Sequence, residues 1–448
     1  RRQRQMCIRD RQGDGVELRG TIQVTVLYTS EESVGLRSLT QSVPFTCWGE
    51  SRPLAACQVL WAEGRLLLCE AQALTPRRLS LRIMPEWTVC GYRCGTRRLC
   101  VGADDDPFLR LRRQERELCL TVSMAERECS VTGEAAVPPG QPAPEDLLLW
   151  RLYPQVGSCQ LVGNKLLVKG DVTLSALYRC QQQKLHTYTA VLPFSQIVES
   201  PSGGEEGEVT VCPQLLCGEA RLLRGEESSG FAVSAELRLL VRITRRETVA
   251  CVTDLYSIRC AVQPDTEPVS LPPAQERPTR QEAAAHLDFG RQRPFVYVTD
   301  VSCAPAAAED GAPCAAVRMQ LLYLDETEAP AVTERTAQLP LRDGETCTRC
   351  GAPEVAFTGT GCDLRQAVSV TPAAGEPAVL TTVTAVQTVP EREEGRRPSL
   401  VMRRLAADET LWDAAKQYRT DEELIRAVNQ LTEGEVPDKM LLIPRMRP

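Results

Sequence analysis

Residues 166–197 read LLVKGDVTLSALYRCQQQKLHTYTAVLPFSQI, and residues 16–47 read VELRGTIQVTVLYTSEESVGLRSLTQSVPFTC. The two stretches are one pattern written twice. After Gly170, the apolar residues Val172, Leu174, Ala176 and Tyr178 fall at every second position, with Asp171, Thr173 and Ser175 between them. After Gly20 the same holds for Ile22, Val24, Val26 and Tyr28, with Thr21, Gln23 and Thr25 between. Successive side chains of an extended chain point to opposite sides, so a period of two predicts a strand with one buried and one wet face. A polar turn follows each tyrosine, and a second run ends at Pro44-Phe45 or Pro193-Phe194. Two such runs are most simply an antiparallel hairpin.

A third, weaker copy follows. Val317, Met319, Leu321 and Tyr323 alternate with Arg318 and Gln320, Ala315 replaces the glycine, and Pro340-Leu341 stands for the Pro-Phe pair. The three tyrosines recur at intervals of 150 (178 − 28) and 145 (323 − 178) residues. Such a period means tandem domains, not a solenoid of short units. Other segments echo as well. LLCEA (67–71) matches LLCGEA (215–220), and Leu79, Leu81 and Ile83 alternate as Phe231, Val233, Ala235, Leu237, Leu239, Val241 and Ile243 do. Val379, Val383 and Ala385 are assigned to the corresponding strand of the third unit. Leads of the type WRLYPQVGSC (150–159) and FVYVTDVSC (295–303) precede the second and third copies but not the first. The opening RRQRQMCIRDR fits neither period, so residues 1–11 are expected to be non-native and the first domain truncated at its N-terminus. The expected fold is mainly β, with tandem antiparallel, sandwich-like domains at 1–105, 106–262 and 280–390. The Pro-rich stretch 263–280 reads as a linker between the second and third, and 391–404 as the linker to a different module at 405–446.

The net charge of −7 and the mixed distribution of charge give no electrostatic case for nucleic acid or an anionic membrane. No apolar run approaches the ~18 residues of a membrane span. A secretion signal cannot be judged from this N-terminus. The 20 cysteines are scattered singly, which suits reduced, small core residues; oxidative cross-linking in an assembly is the alternative.

The tail changes period. Leu411, Ala414, Ala415 and Tyr418 share one helical face, and Thr410 with Asp413 makes a capping box. Thr420 with Glu423 reads as a second box, opening a helix through Leu424, Ile425 and Val428. LVMRRL before and MLLIP after complete a strand–helix–helix–strand module. DETLWDAAKQYRTDEELIRAVNQL followed by PDKMLLIP resembles a LysM domain over Leu405–Pro444. Thr410-Leu411-Trp412, Asn429 and Ile443-Pro444 match that family's pattern. The resemblance implies ligand or partner loops at Asp408, Glu409, Thr410 and Trp412, and at Asn429, Gln430 and Leu431. Asp408 and Asp438 stand where the family usually has glycine, which puts a charge where backbone is otherwise bare. Two readings follow for these loops, N-acetylglucosamine polymer binding and protein binding.

The tandem units ending in such a tail resemble the SPOCS-domain proteins of spore-forming Firmicutes, in the arrangement of the SipL type. That resemblance implies a non-enzymatic scaffold in spore coat and cortex assembly. Its expected partners are a SpoIVA-like coat morphogenetic ATPase and other coat proteins, at the forespore surface in the mother-cell cytoplasm. Peptidoglycan is the alternative partner.

No catalytic constellation competes with this. There is no phosphate loop, HExxH or nucleophile elbow, and the two histidines, His186 and His286, lie outside the repeated motifs. No cofactor or metal is expected. Cys347-Thr-Arg-Cys350 is a lone CxxC without the second pair a zinc ribbon needs; plain thiols, a local disulfide, a metal ligand pair and a redox site are its readings. The groups Cys90/Cys94/Cys100 and Cys212/Cys217 have spacings that suit no metal site. Asp104-Asp105-Asp106 and Glu205-Glu206 read as solvated turns. Tyr28, Tyr178 and Tyr323, with Phe45 and Phe194, share faces with aliphatic residues and read as core.

Overall fold

The structure is a computed structural model of the chain. It describes all residues except 1–3, 6–8, 13, 31–32, 76, 104–105, 200–206, 225–228, 272–277, 291–294, 374–377, 391–397, 407, 433–439 and 446–448. The first repeat contains β1 (Arg4–Gln5), β2 (Arg9–Gln12), β3 (Gly15–Ser30), β4 (Ser33–Glu50), the helical turn α1 (Arg52–Ala55), β5 (Val59–Thr75) and β6 (Arg78–Tyr92). The second contains β7 (Leu109–Ala136), β8 (Pro144–Val162), β9 (Lys165–Cys180), β10 (Leu185–Glu199), β11 (Glu208–Arg224) and β12 (Ser229–Ser257). The third contains β13 (Val262–Leu271), β14 (Thr279–Asp288), β15 (Val296–Ala307), β16 (Pro313–Leu324), β17 (Pro330–Pro340), β18 (Thr346–Arg349), β19 (Glu354–Thr358), β20 (Gly361–Thr371) and β21 (Ala378–Thr388). The tail is β22 (Leu400–Arg403), α2 (Leu411–Tyr418), α3 (Glu422–Asn429) and β23 (Leu441–Pro444). The fold is mainly β, and the paired strands are antiparallel.

The second repeat shows why the alternating pattern matters. β9 and β10 form the expected hairpin, with Tyr178 opposite His186 and Gly170 opposite Phe194. Sheet β10-β9-β8 faces sheet β11-β12-β7. Val172, Leu174, Ala176 and Tyr178 from one sheet, and Phe231, Val233, Ala235 and Leu237 from the other, interdigitate in one core. Tyr178 is fully buried, its ring lies 5.8 Å from that of Phe231, and its hydroxyl donates to Pro142 O at 3.0 Å. A buried phenol needs such a partner. The third repeat repeats the plan, with β15-β16-β17 against β14, β18, β19 and β20 around Met319, Leu321 and Leu364.

Three expectations change here. Tyr28 is 41% exposed; among the described residues β1 and β2 pair with β3 at Thr21–Ile22 and Gly15–Leu18, well before the tyrosine. Tyr178 and Tyr323, by contrast, each have a full strand alongside, opposite Leu147 and Val296. Second, the partner of Ala315 is Leu339, so Leu339, not Leu341, is the counterpart of Phe194. Hairpin register is fixed by the turn, and both hairpins pair the tyrosine with a residue eight positions on (His186, Ala331). Third, Val379, Val383 and Ala385 lie on β21, which pairs with β13. The inner face equivalent to Phe231–Ile243 is supplied by Cys362, Leu364, Val368 and Val370 on β20. The stretch expected as a linker thus contains a strand. Its prolines, Pro264 and Pro268, are tolerated because β13 is in a two-stranded sheet, where one edge donates no ladder bonds.

The chain divides into two compact units, Arg1–Cys94 with Thr121–Arg245 and Gln275–Ala374, and Gly95–Leu120 with Arg246–Ala274 and Gly375–Pro448. The first holds the three sandwiches. Within it, the outer face of β9 is exposed at Lys169 and Asp171 but covered toward its end. Leu177 is buried with Leu36, Leu148, Leu149, Tyr297 and Leu322, so residues from all three repeats share one apolar cluster. Buried Arg151 donates to Thr299 O at 3.2 Å, and Tyr297 donates to Ser175 O at 3.2 Å. The second unit holds residues 109–120 of β7 and 246–257 of β12, the β13–β21 pair, and the tail.

Candidate functional site

The tail forms the expected strand–helix–helix–strand order. β22 and β23 pair antiparallel, with Val401 opposite Ile443. Thr410 caps α2 through a full capping box: Asp413 N donates to Thr410 Oγ1 at 3.3 Å, and Thr410 N donates to the Asp413 carboxylate at 2.9 Å. The Thr410 hydroxyl, donating to the same carboxylate at 2.6 Å, and then Thr410 N hold the Asp413 carboxyl below its ordinary value. The cap of α3 is Asp421, not Thr420; its carboxylate accepts from Glu423 N at 3.1 Å. Thr420 is buried instead, with its carbonyl turned to a tyrosine hydroxyl. Both helices end on left-handed residues, Arg419 and Gln430, each at φ 52.

The tail does not complete its core alone. Leu411, Ala414, Ala415, Ile425, Leu441 and Ile443 pack around Tyr256, near the end of the long β12 run and after Val252 and Leu255. The Tyr256 hydroxyl donates to Thr420 O at 2.9 Å. Burial, with Asp421 nearby, pushes that phenol well above its ordinary value, so it stays a donor. The Trp412 ring meets Tyr256 edge-on at 4.8 Å, and its Nε1 donates to Asp254 at 2.8 Å. Lys416 Nζ donates to the other oxygen of Asp254 at 2.5 Å. Arg110 on β7 donates to the Asp421 carboxylate at 2.6 and 2.9 Å. Asp421 therefore caps α3 and anchors it with one carboxylate.

The expected loop residues divide accordingly. Trp412 is half-buried against Tyr256 and Asp254. Asn429 ties α3 to β23: its Nδ2 donates to Ile425 O at 2.8 Å and Leu442 O at 2.7 Å, and its Oδ1 accepts from Leu442 N at 2.8 Å. Leu431 packs against the core. Glu409 is ion-paired with Arg403 and accepts from Ala406 N at 3.1 Å. Asp408, Thr410 and Gln430 are exposed. Asp438 lies outside the described residues. Sequence reasoning did not reach Asp254, Tyr256 and Arg110, whose link to the tail is a tertiary contact across more than a hundred residues.

The other candidates take up local roles. His286 Nδ1 is 2.7 Å from Asp363. His186 stacks on Tyr178 at 5.5 Å, and burial, then Lys184, lowers its pKa. Asp106 accepts from Phe108 N at 2.9 Å in a turn; Asp104, Asp105, Glu205 and Glu206 lie outside the described residues. Among the described residues no group of three or more His, Cys, Asp or Glu is arranged to hold a metal ion. No helix among them is long and apolar enough to cross a membrane.

Residues 145–215 match the model of the family described as SipL, SPOCS domain. The span begins in β8, contains the whole β9–β10 hairpin and ends within β11. The chain thus carries a SPOCS-domain match on the hairpin whose pattern is repeated, and with it a link to sporulation. Neither curated proteins nor solved structures give a match.

Proposed function

We propose that this chain is a non-enzymatic scaffold of the spore envelope, with a LysM-like tail. It docks to a SpoIVA-like coat morphogenetic ATPase at the forespore surface through its β domains and that tail. The single observation that carries the reading is the SPOCS match on the repeated hairpin. Several weak contacts on one chain raise the local concentration of each, so a repeated domain with a terminal adaptor suits assembly at a surface. The geometry of the tail favours a protein partner over a glycan. Trp412 and Asn429 already spend their polar groups on Asp254 and Leu442, which leaves Asp408, Thr410 and Gln430 as the exposed part of the two loops. An exposed carboxylate such as Asp408 suits a basic partner surface better than a neutral sugar.

The test immobilises the full chain and offers it, in parallel, the coat ATPase of the same organism and peptidoglycan fragments. Binding of the ATPase, weakened by Asp408→Lys and Gln430→Ala together, supports the adaptor reading. Binding of peptidoglycan alone moves the protein to the cell wall and overturns it.

A further inference from the structure

β15 and β18 are edge strands of the two sheets of the third sandwich. Arg349 Nη1 on β18 donates to Val301 O on β15 at 3.4 Å. Two residues back along β18 and two forward along β15 stand Cys347 and Cys303. Their side chains interact with each other, and both pack against the same core. The motif partner, Cys350, is placed differently. Side chains three apart on an extended chain point to opposite faces. Cys350 lies just past β18, and its N–H donates to Ala367 O at 2.8 Å. The spatial partner of Cys347 is thus Cys303, which no spacing in the sequence connects to it.

The two thiols are also unequal. That interaction favours negative charge on Cys347 and, together with burial, keeps Cys303 protonated. The thiolate is the form that attacks a disulfide. Both residues are only partly buried, so a small oxidant can reach them.

We propose that Cys303 and Cys347 are a redox-active pair that reacts with a low-molecular-weight disulfide and closes into a bridge between the two sheets. In the first step the Cys347 sulfur attacks one sulfur of the disulfide RSSR, forming a Cys347–SR bond and releasing RS⁻. In the second, Cys303 gives its proton to water or buffer and its sulfur attacks the Cys347 sulfur, releasing the second RS⁻. The two thiols are oxidised by two electrons and RSSR is reduced to two RSH. The bridge encloses β16 and β17 in a covalent loop, so it constrains the unfolded chain and raises the stability of the third sandwich.

The experiment treats the reduced full chain with oxidised glutathione, blocks remaining thiols with N-ethylmaleimide and maps the peptides by mass spectrometry. The expected result is a Cys303–Cys347 cross-linked peptide and a rise of several degrees in the melting temperature, reversed by dithiothreitol. Cys350→Ser should behave as the parent chain does. Cys303→Ser should stop at a glutathionyl adduct on Cys347. A Cys347–Cys350 bridge overturns the proposal, as does recovery of Cys303 and Cys347 both as alkylated thiols in the parent chain and in Cys350→Ser.

Discussion

Trp412 and Asp254 are 158 residues apart in the chain and share a hydrogen bond of 2.8 Å. One carboxylate at the end of β12 thus fixes the indole that the tail's sequence presents as its most conspicuous aromatic. The same carboxylate holds Lys416. Partly buried donors that lose a charged acceptor cost about 1–3 kcal/mol. Asp254→Ala should therefore lower the urea midpoint of the second unit and red-shift the tryptophan emission as Trp412 gains water. Unchanged emission together with an unchanged midpoint would mean that the tail stands free.

Asn429 makes three hydrogen bonds from one amide. Asn429→Asp keeps the acceptor for Leu442 N but replaces the donor to Ile425 O and Leu442 O with a second carboxylate oxygen. It should cost about 2 kcal/mol or more, and Asn429→Ala a comparable amount. Hydrogen exchange at the Leu442 amide reports it: faster exchange is expected in both variants. A residue kept only for ligand contact would leave that amide protected.

Tyr178 separates packing from hydrogen bonding. Tyr178→Phe removes only the bond to Pro142 O and should cost about 1 kcal/mol. Tyr178→Ala opens a cavity beside Phe231 and should cost about 3–5 kcal/mol, close to unfolding the domain. Chemical denaturation of both variants measures the difference.

Gly170 faces Phe194 across the hairpin, and a Cβ on it would meet Gln155 O at 2.3 Å and the Phe194 ring at 2.6 Å. Gly170→Ala should cost about 1–3 kcal/mol. In the third repeat the same two positions are Ala315 and Leu339. Adding Phe194→Leu to Gly170→Ala should then recover part of the loss, a coupling that a double-mutant cycle reads directly. Strict additivity would sink the idea that the two positions are matched.

His186 gives the second sandwich a pH dependence. Its pKa is lowered on folding from the ordinary 6.5, so the unfolded chain takes up its proton first as pH falls. Stability is full above about 6.5 and declines below it until the folded form is also protonated. His186→Gln should flatten the melting temperature between neutral pH and pH 5 or so. An unaltered slope would show that His186 does not carry the acid loss in this window.

Much of this was legible in the chain as written. The alternation from Val172 to Tyr178 marked the inner face of β9, and Thr410 with Asp413 marked the start of α2, because both signals are local. Signals that rested on spacing alone went astray. Thr420-x-x-Glu423 fits a capping box, yet Asp421 has the cap, since burial of Thr420 under Tyr256 outweighs a side-chain bond it could make in solvent. Pro340-Leu341 resembles Pro193-Phe194 in letters, but the turn at Tyr323 and Ala331 sets the register two residues earlier.

The sequence by itself determined the strands of the repeated hairpin, the inner face of β9, and that one hairpin is used three times. Those follow from backbone geometry and from water's exclusion of apolar side chains, which act residue by residue. Tertiary structure alone decided that Leu177 is buried on the outer face, that Trp412 is held by Asp254, and that Cys347 meets Cys303. Each of those depends on a partner far along the chain, and a short-range periodicity contains no information about which distant surface will cover a side chain.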